Sequence, residues 1–457
     1  MPREGPFEAA LAACSRGAPG DRDRRDTPLP WVYRSRMARG GRRTRGLRVS
    51  CSDSSRAVTH TPLTSLEIAT GMALPILDGQ DERGNEIHSA FDHAEPGGAR
   101  TALERTILPG LLRPPCLVSF SGGRDSAAVL AVATSLARKE GLPLPIPATN
   151  TFPRVPATNE AAWQEQLVRR LELPDWIRVE HDDELDLIGP YARRVMEAHG
   201  LVWPANVHFH LPLLERAMGG SMLTGFGGDE LYGAARWLHA EAVLARAVRP
   251  RPRDVLCVGL ALAPHSVRRA VIRRRGMLEL PWLKPRARAL ATALLVRETS
   301  EEPRRLHERM SWWLQARYLR VARNSLDLIA KDQAVQLVHP LLSTRFWCAV
   351  ADEAGPLGFT SRAEGVRRLF GDVLPSEVIE RRLKANFDGA FFTERALAFG
   401  RRWRGFGVPE QWVDPVVLAR HWSGDRLSAQ SGTLLQAAWL ESETSRRRVE
   451  QTGECVV

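Results

Sequence analysis

The stretches CLVSFSGGRDS at 116–126 and LTGFGGDELYG at 223–233 share one pattern. Each reads as an apolar strand that runs into a loop of small and polar residues, and the first loop opens onto a helical pattern at 127–139. Small residues let an anion approach the backbone, and the free N–H groups at a helix start attract it. The pattern predicts a phosphate cradle built from Ser121, Gly122, Gly123 and Ser126 together with Gly225, Gly227 and Gly228.

Two acidic residues lie within these loops, Asp125 in the first and Asp229 in the second. Two strand ends side by side could hold one Mg²⁺ between these carboxylates, because Mg²⁺ prefers hard oxygen ligands and a site that leaves room for phosphate oxygens. Neither loop has the Lys-Ser or Lys-Thr ending of a Walker loop. The pattern is therefore not that of an ordinary kinase or GTPase.

Both loops resemble motifs of a known family. SGGRDS at 121–126 resembles the pyrophosphate loop of the ATP-pyrophosphatase superfamily, and TGFGGDELYG at 224–233 is similar to the second motif of the asparagine synthetase family within it. The resemblance covers 114–235 and 311–390. It implies that ATP and Mg²⁺ bind here, with the pyrophosphate on the first loop and the metal on Asp125 and Asp229.

Residues 113–235 are expected to form the nucleotide-binding core. Predicted strands at 116–120, 146–152, 176–180 and 221–225 alternate with helices. This alternation predicts an α/β fold in which a parallel sheet has helices on both faces and ligands at the carboxyl ends of its strands. The resemblance makes it an adenine-nucleotide alpha-hydrolase-like sheet, followed by a mainly helical C-terminal part at 311–445. In relatives the end of the second strand touches the adenine, which implicates Thr149 and Asn150.

Composition places the chain among globular proteins. It has 457 residues, of which 44% are hydrophobic and 26% are charged, and the length suggests about three domains. Six scattered cysteines form no CxxC pair, which disfavours a zinc site and a disulfide framework and favours a reducing, cytoplasmic location. No apolar run is long enough to span a bilayer, so no membrane association is expected. His208 and His210 lack further ligands at metal spacing and are interpreted as structural.

The net charge of +11 is concentrated at the N-terminus. Residues 1–56 contain 13 Arg and 6 Asp or Glu, which leaves +7 in that segment. Its Gly, Arg, Ser and Pro content predicts a disordered tail, or translated sequence upstream of a later start such as Met37 or Met72. No specific nucleic acid is expected as a partner, because basic and aromatic residues do not interleave as in an RNA-binding sheet.

Three further segments can be distinguished by their length and composition. Residues 57–112 are too few for the glutaminase domain that begins glutamine-dependent asparagine synthetases, and Pro2 stands where that family has its cysteine. We therefore expect no glutamine hydrolysis by this chain. Residues 236–310 form an Arg-rich helical insertion, either a solvated helix face or a docking surface for an acidic partner. Residues 446–457 are a tail.

The segment AVQLVHPLLSTRF at 334–346 resembles the family imperfectly. Gln336 stands where the family usually has Glu, and Ser343 where it usually has Asp. In the family that Glu belongs to the region that handles the acceptor amine. The departure weakens the inference that the substrate is aspartate.

The stretch SRAEGVRRLFGDVLPSEVIERRLKANF at 361–387 matches the family more closely. Arg382, Lys384 and Phe387 fit its Arg-x-Lys-x-x-Phe loop, which folds over the ATP. Only four of the 64 basic residues are lysines, so a lysine at this position is notable. Its ammonium would offset charge that develops on phosphate and on tetrahedral intermediates. A second family lysine is replaced by Ala363, with Arg362 as a candidate substitute.

The resemblance implies ATP-dependent amide-bond formation. A substrate carboxylate is adenylated with release of pyrophosphate, and a nitrogen nucleophile then displaces AMP. Lys384 and Arg382 would be catalytic. Glu230 would order the second loop or bind a substrate ammonium, although a carboxylate at a helix start is an equally good interpretation.

Three functions are compatible with these motifs. The first is an asparagine synthetase relative that uses aspartate and ammonia. The second is a cyclase that uses an amine of the substrate itself, like the β-lactam synthetases and the macrolactam-forming lasso-peptide cyclases. The third is a catalytically silent ATP-binding protein. The expected partners are a small carboxylate or short peptide, with a separate ammonia-supplying glutaminase or a leader protease.

Overall fold

The computed structural model describes residues 35–36, 60–75, 97–231, 237–244, 246, 249, 252, 254–274, 278–355, 358–359, 361–381, 385–424 and 426–452. Within the basic tail at 1–56 only the two-residue strand Ser35–Arg36 is described. The predicted disorder of that tail lies outside the described residues and stays a prediction.

A five-stranded parallel sheet carries both glycine-rich loops. Its strands are β1 (Cys116–Ser119), β2 (Ile146–Thr151), β3 (Ile177–Glu180), β4 (Ser221–Leu223) and β5 (Gln336–Val338). They are arranged as β3–β2–β1–β4–β5, with each neighbouring pair parallel. Every residue of β1 and β4 is buried, as expected of parallel strands covered on both faces. The predicted α/β fold is confirmed.

The four strands predicted between 116 and 225 are all present, and each ends or begins one or two residues inside its predicted bounds. The sequence indicates no strand at β5, because three residues are too few to show a period. β5 comes from the C-terminal half of the chain, since Ser221 pairs with Gln336 and Leu223 with Val338. The sheet is therefore completed by a segment well beyond 113–235.

Helices make up most of the remainder. In the first half they are α1 (Ser65–Thr70), α2 (Gly98–Leu111), α3 (Arg124–Lys139), α4 (Ala161–Arg170), α5 (Pro190–His199), α6 (Leu211–Arg216), α7 (Gly228–Leu231), α8 (Leu238–Leu244), α9 (Asp254–Leu262) and α10 (His265–Arg274). In the second half they are α11 (Pro285–Glu301), α12 (Leu306–Leu314), α13 (Arg317–Asp332), α14 (Thr344–Ala354), α15 (Arg362–Phe370), α16 (Ser376–Glu380), α17 (Asp388–Phe391), α18 (Glu394–Arg402), α19 (Pro415–Trp422) and α20 (Gly432–Thr452). None in the described part is long and apolar enough to cross a membrane.

Two helices follow each other closely before β5. α12 and α13 are separate because Ala316 has the non-helical backbone angles φ −59° and ψ 130°. The break lets α13 start at Arg317, whose side chain is buried.

Two apolar cores hold the molecule together. The first surrounds the sheet and includes Phe120 and Trp347. The second joins α1, α5, α11 and the C-terminal helices around Trp282 and Trp422. Within the predicted insertion at 236–310, buried residues between 280 and 291 belong to the second core, while Trp237 and its neighbours form a small cluster of their own. The bounds of the insertion stay a prediction.

Buried histidines give the fold a defined pH dependence. Burial lowers the pKa of His208 to about 4 and that of His210 to about 3, whereas an unfolded histidine titrates near 6.5. Their stabilising contribution is therefore fully present above about pH 6.5 and is lost as the pH falls toward these folded values.

We expect the free energy of unfolding to fall by about 2 kcal/mol per buried histidine between pH 7 and pH 5. Urea unfolding of His208→Gln at both pH values should show a smaller pH dependence than the wild type by that amount. His60→Gln, which changes an exposed histidine, should keep the wild-type difference. An unchanged pH dependence in His208→Gln would contradict the neutral state of this histidine.

Candidate functional site

The first glycine-rich loop turns β1 into α3. Gly122 has φ +84°, in the region that favours glycine, and Gly123 is the N-cap residue of α3. Ser121 Oγ accepts from the N–H of Gly123 at 3.2 Å, and Ser126 Oγ donates to the carbonyl of Gly123 at 3.0 Å. The hydroxyls thus fix the loop so that the first turn of a sixteen-residue helix faces the carboxyl edge of the sheet.

The second loop lies directly against the first. A Cβ at Gly225 would be 2.9 Å from the backbone nitrogen of Ser126, and a Cβ at Gly228 would overlap the carboxyl group of Asp125. Gly227 has φ +98°. The glycines of the second motif are therefore required by the close packing of the two loops. The two motifs meet as predicted from parallel strand ends.

Asp125 and Asp229, the acidic residues of the two loops, both form ion pairs with the same arginine. Arg362, at the start of α15, donates one Nη to Asp125 and the other to Asp229. Its burial lowers its pKa, but both carboxylates outweigh burial and raise the pKa above its ordinary value. All three side chains stay partly exposed, at 20–30%. Both carboxylates therefore converge on a single positive charge, which here is the Arg362 guanidinium.

Two further guanidinium groups stand beside this pair. Arg124 lies in the first loop and donates to the carbonyl of Arg381 at 2.5 Å, and Arg381 donates to the carbonyl of Gly122 at 2.9 Å. Burial, followed by the charge of Arg362, lowers the pKa of Arg124. The site therefore gathers positive charge around a helix N-terminus, an arrangement that suits a polyphosphate.

The loops fit both phosphate and a divalent cation. Backbone N–H groups and arginines supply donors for phosphate oxygens, and Asp125 and Asp229 supply hard oxygen ligands of the kind Mg²⁺ takes alongside phosphates. Among the described residues no group of three or more acidic, His or Cys side chains surrounds a metal position. Two carboxylates, with the remaining ligands from nucleotide and water, are enough for Mg²⁺.

Glu230 is half-buried next to the second loop. Tyr318 Oη donates to its Oε1 at 3.1 Å, and its Oε2 meets no hydrogen-bond partner among the described residues. Burial and then the charge of Asp229 raise the pKa of Glu230 to about 8. The raised pKa disfavours the carboxylate form of Glu230, and its expected role in ordering the second loop or binding a substrate ammonium stays a prediction.

The polar side chains at the end of β2 form hydrogen bonds with other residues of the protein. Thr149 Oγ1 donates to the carbonyl of Phe120 at 2.7 Å and accepts from Trp176 Nε1 at 3.1 Å. Asn150 contacts His181 Nε2 at 3.0 Å and the carbonyl of Phe209 at 2.7 Å. The adenine contact implied for these residues stays a prediction, and their side chains are explained by local structure.

Gln336 and Ser343, which differ from the usual family residues, lie at the starts of β5 and α14. Gln336 starts β5 opposite Ser221, two residue pairs before the edge that carries the loops. Ser343 is the N-cap of α14, with its Oγ 3.5 Å from the nitrogen of Phe346. The expectation that these departures weaken aspartate as the substrate stays a prediction. At the carboxyl end of β5 it is His339 that contacts Thr224, with Nδ1 and Oγ1 2.6 Å apart.

A small cavity adjoins the second loop through Phe226. Its lining is uncharged: aliphatic and aromatic side chains, one amide and His210, whose pKa of about 3 keeps it neutral. The lining residues are Pro204, Asn206, Val207, Phe209, His210, Phe226, Ala322 and Leu326.

The predicted Arg-x-Lys-x-x-Phe loop is described only at its ends. Arg382 and Lys384 lie outside the described residues, so their roles stay predictions. Phe387 packs with its ring centroid 6.0 Å from those of Phe152 and Phe209, which puts the end of this loop beside β2.

Several residues of the site are not signalled by the sequence. Tyr318 and Glu160 belong to no motif and reach the loops only through the tertiary fold. Arg381 directly precedes the matched Arg382, so the doublet at 381–382 offers a weak signal. The sequence indicates Arg362 as a substitute for the missing family lysine. It does not indicate that Arg362 bridges Asp125 and Asp229.

Fold and site together define an ATP-binding α/β protein of the pyrophosphate-loop type. The family model described as asparagine synthase matches residues 112–405. The chain belongs to the asparagine synthase family. This family uses ATP as a substrate, and membership supports an ATP-dependent ligase that forms amide bonds. Among curated proteins no significant match is found.

Proposed function

We propose that the protein activates a substrate carboxylate by adenylation and then joins it to a nitrogen nucleophile. A carboxylate oxygen attacks the α-phosphorus of ATP and the bond to the β-phosphate breaks, which releases pyrophosphate. The nitrogen then attacks the acyl carbon, the bond to AMP breaks, and the nitrogen loses a proton. The observation that carries this proposal is the close apposition of the two loops, with Asp125, Asp229 and three arginines around one helix N-terminus.

The residues have distinct tasks in this scheme. The backbone and hydroxyls of the 121–126 loop hold the pyrophosphate part of ATP, and Gly225 lets the second loop pack directly against the first. Arg124 and Arg362 offset the charge of the phosphates. Asp125 and Asp229 hold Mg²⁺, which when bound would draw electron density from the phosphate oxygens. Lys384 would offset charge on the acyl intermediate.

The decisive assay measures pyrophosphate, AMP and ADP with Mg²⁺-ATP, aspartate and ammonia. Pyrophosphate and AMP formed only with a carboxylate would support adenylation, and asparagine would identify the acceptor. ADP as the product would exclude the adenylating mechanism.

We expect Lys384→Ala to lower kcat by about 10²–10³, the usual cost of losing one group that stabilises transition-state charge. Lys331→Ala is the matched control, because Lys331 is an exposed lysine at the end of α13. Equal activity of the two variants would remove Lys384 from the mechanism.

A second candidate is the ring-forming ligase that uses the substrate's own amine. The Gln336 departure favours it, because in the family the Glu at this position belongs to the region that handles the acceptor amine. Pyrophosphate release with an apolar amino-acid derivative or short peptide, and none with aspartate, would select this candidate. The partners we propose are accordingly a small carboxylate or a short peptide, with a separate glutaminase in the first case and a leader protease in the second.

A further inference from the structure

Glu160 occupies an unusual position between two segments of the site. Its side chain is 5% exposed and forms an ion pair with Arg381, which is 7% exposed. The same oxygen, Oε1, also accepts from the backbone N–H of Ala385 at 3.1 Å. Arg381 and Ala385 flank residues 382–384. A single buried carboxylate thus binds the chain on both sides of the Arg-x-Lys segment.

The local structure leaves Glu160 available for this contact. Glu160 is the N-cap residue of α4, but its side chain makes no capping hydrogen bond. Asn159 takes that task, since its Oδ1 accepts from the N–H of Ala161 at 3.0 Å. A carboxylate at this position would ordinarily cap its own helix. Here it is turned toward another segment.

The contact reaches the first glycine-rich loop. Arg381 donates to Glu160 with one Nη and to the carbonyl of Gly122, at 2.9 Å, with the other. Arg124 donates back to the carbonyl of Arg381 at 2.5 Å. On the far side, the N–H of Asn386 donates to the carbonyl of Ala157 at 3.0 Å. The segment 381–386 is therefore tied to the 121–124 loop and to the residues before α4.

Stability alone is a poor reason for this pair. Burying two charges costs desolvation energy that their attraction often fails to exceed, and apolar replacements can be as stable. What the pair provides is a fixed distance between a backbone carbonyl of the phosphate loop and both ends of the 381–385 segment.

We propose that Glu160 is a positioning residue, which fixes Arg381 and the backbone of Ala385 relative to the 121–124 loop. The inference rests on the proposed function, because the segment matters for catalysis only if ATP reacts at this loop. Glu160 itself touches no substrate.

The test combines hydrogen exchange at single amides with kinetics. In Glu160→Ala the amides of Ala385 and Asn386 should exchange about tenfold faster or more, since a hydrogen bond to a charged acceptor is lost. ATP should protect these amides in the wild type and not in the variant. The kcat should fall at least about tenfold while the KM for ATP changes less than about threefold. Glu160→Gln keeps an acceptor oxygen and should recover part of both losses.

Glu165→Ala is the matched control, because Glu165 lies on the same helix and pairs with Arg178 at the surface. It should leave exchange and kinetics unchanged. Wild-type exchange at Ala385 in Glu160→Ala would overturn the proposal, as would faster exchange with an unchanged kcat. If the wild type forms no pyrophosphate with any carboxylate, the proposed function fails, while loss or retention of ATP-induced protection still decides the positioning role.

Discussion

Asp229→Asn should lower the rate of pyrophosphate formation by at least about 10²–10³, the range found when one charged or polar group that stabilises a transition state is lost. The carboxylate of Asp229 faces that of Asp125 across the Arg362 guanidinium. Replacement by an amide keeps the shape and removes the negative charge. Both the proposed metal ligand and one partner of Arg362 are then lost at the same position.

The control for Asp229→Asn is Asp175→Asn, which changes an exposed aspartate in the turn before β3. It should retain wild-type activity. Thermal unfolding of both variants should be measured, because Arg362 loses an ion pair only in the first. An Asp229→Asn enzyme that keeps more than half of the wild-type rate, with full occupancy by ATP, would show that Asp229 is dispensable and would remove the two-carboxylate metal site from the mechanism.

The sequence predicts the site to the extent that its parts are local. The two loops each combine a strand end, glycines and an aspartate within about ten residues, so a pattern is visible and the parallel sheet brings the ends together. Gly225 and Gly228 show why the pattern is specific, since a Cβ at either would collide with the first loop. Nothing in the sequence links Arg362 to those aspartates in particular, because that contact depends on how α15 packs against α3.

The limits of prediction are clearest for long-range polar contacts. Glu160 and Arg381 are 221 residues apart, and Tyr318 and Glu230 are 88 apart. Such pairs carry no period and no spacing rule, so a single sequence cannot reveal them. The same holds for β5, whose three residues are recognisable as a strand only through their pairing with β4.

The contacts of the segment 60–75 also could not be predicted from the sequence. Its composition does not indicate that it is buried against the rest of the fold. Glu67 is fully buried and pairs through both oxygens with Arg317, at 2.7 and 2.8 Å. The N–H groups of Thr64 and Leu74 also donate to it, each at 2.9 Å. One carboxylate therefore closes the ends of the α1 segment and joins it to the first turn of α13.

Glu67→Ala should lower the free energy of unfolding by about 3–5 kcal/mol, since breaking a buried ion pair by removing one partner is strongly destabilising. Arg317, which loses Glu67, is directly followed by Tyr318, the residue that donates to Glu230. Chemical unfolding should be compared with that of Glu394→Ala, which breaks an exposed pair with Arg401 and should cost at most about 1 kcal/mol.

Glu67→Gln distinguishes charge from packing at this position. The amide can still accept from the N–H of Leu74 or Thr64, so it should restore part of the stability without restoring the ion pair with Arg317. If Glu67→Ala costs no more than the exposed control, the α1 segment is not held by this ion pair, and the two cores do not depend on it. If the large loss is observed and is accompanied by reduced ATP turnover, Arg317 and Tyr318 transmit the defect to Glu230, which would connect the stability of the 60–75 segment to the chemistry at the second loop.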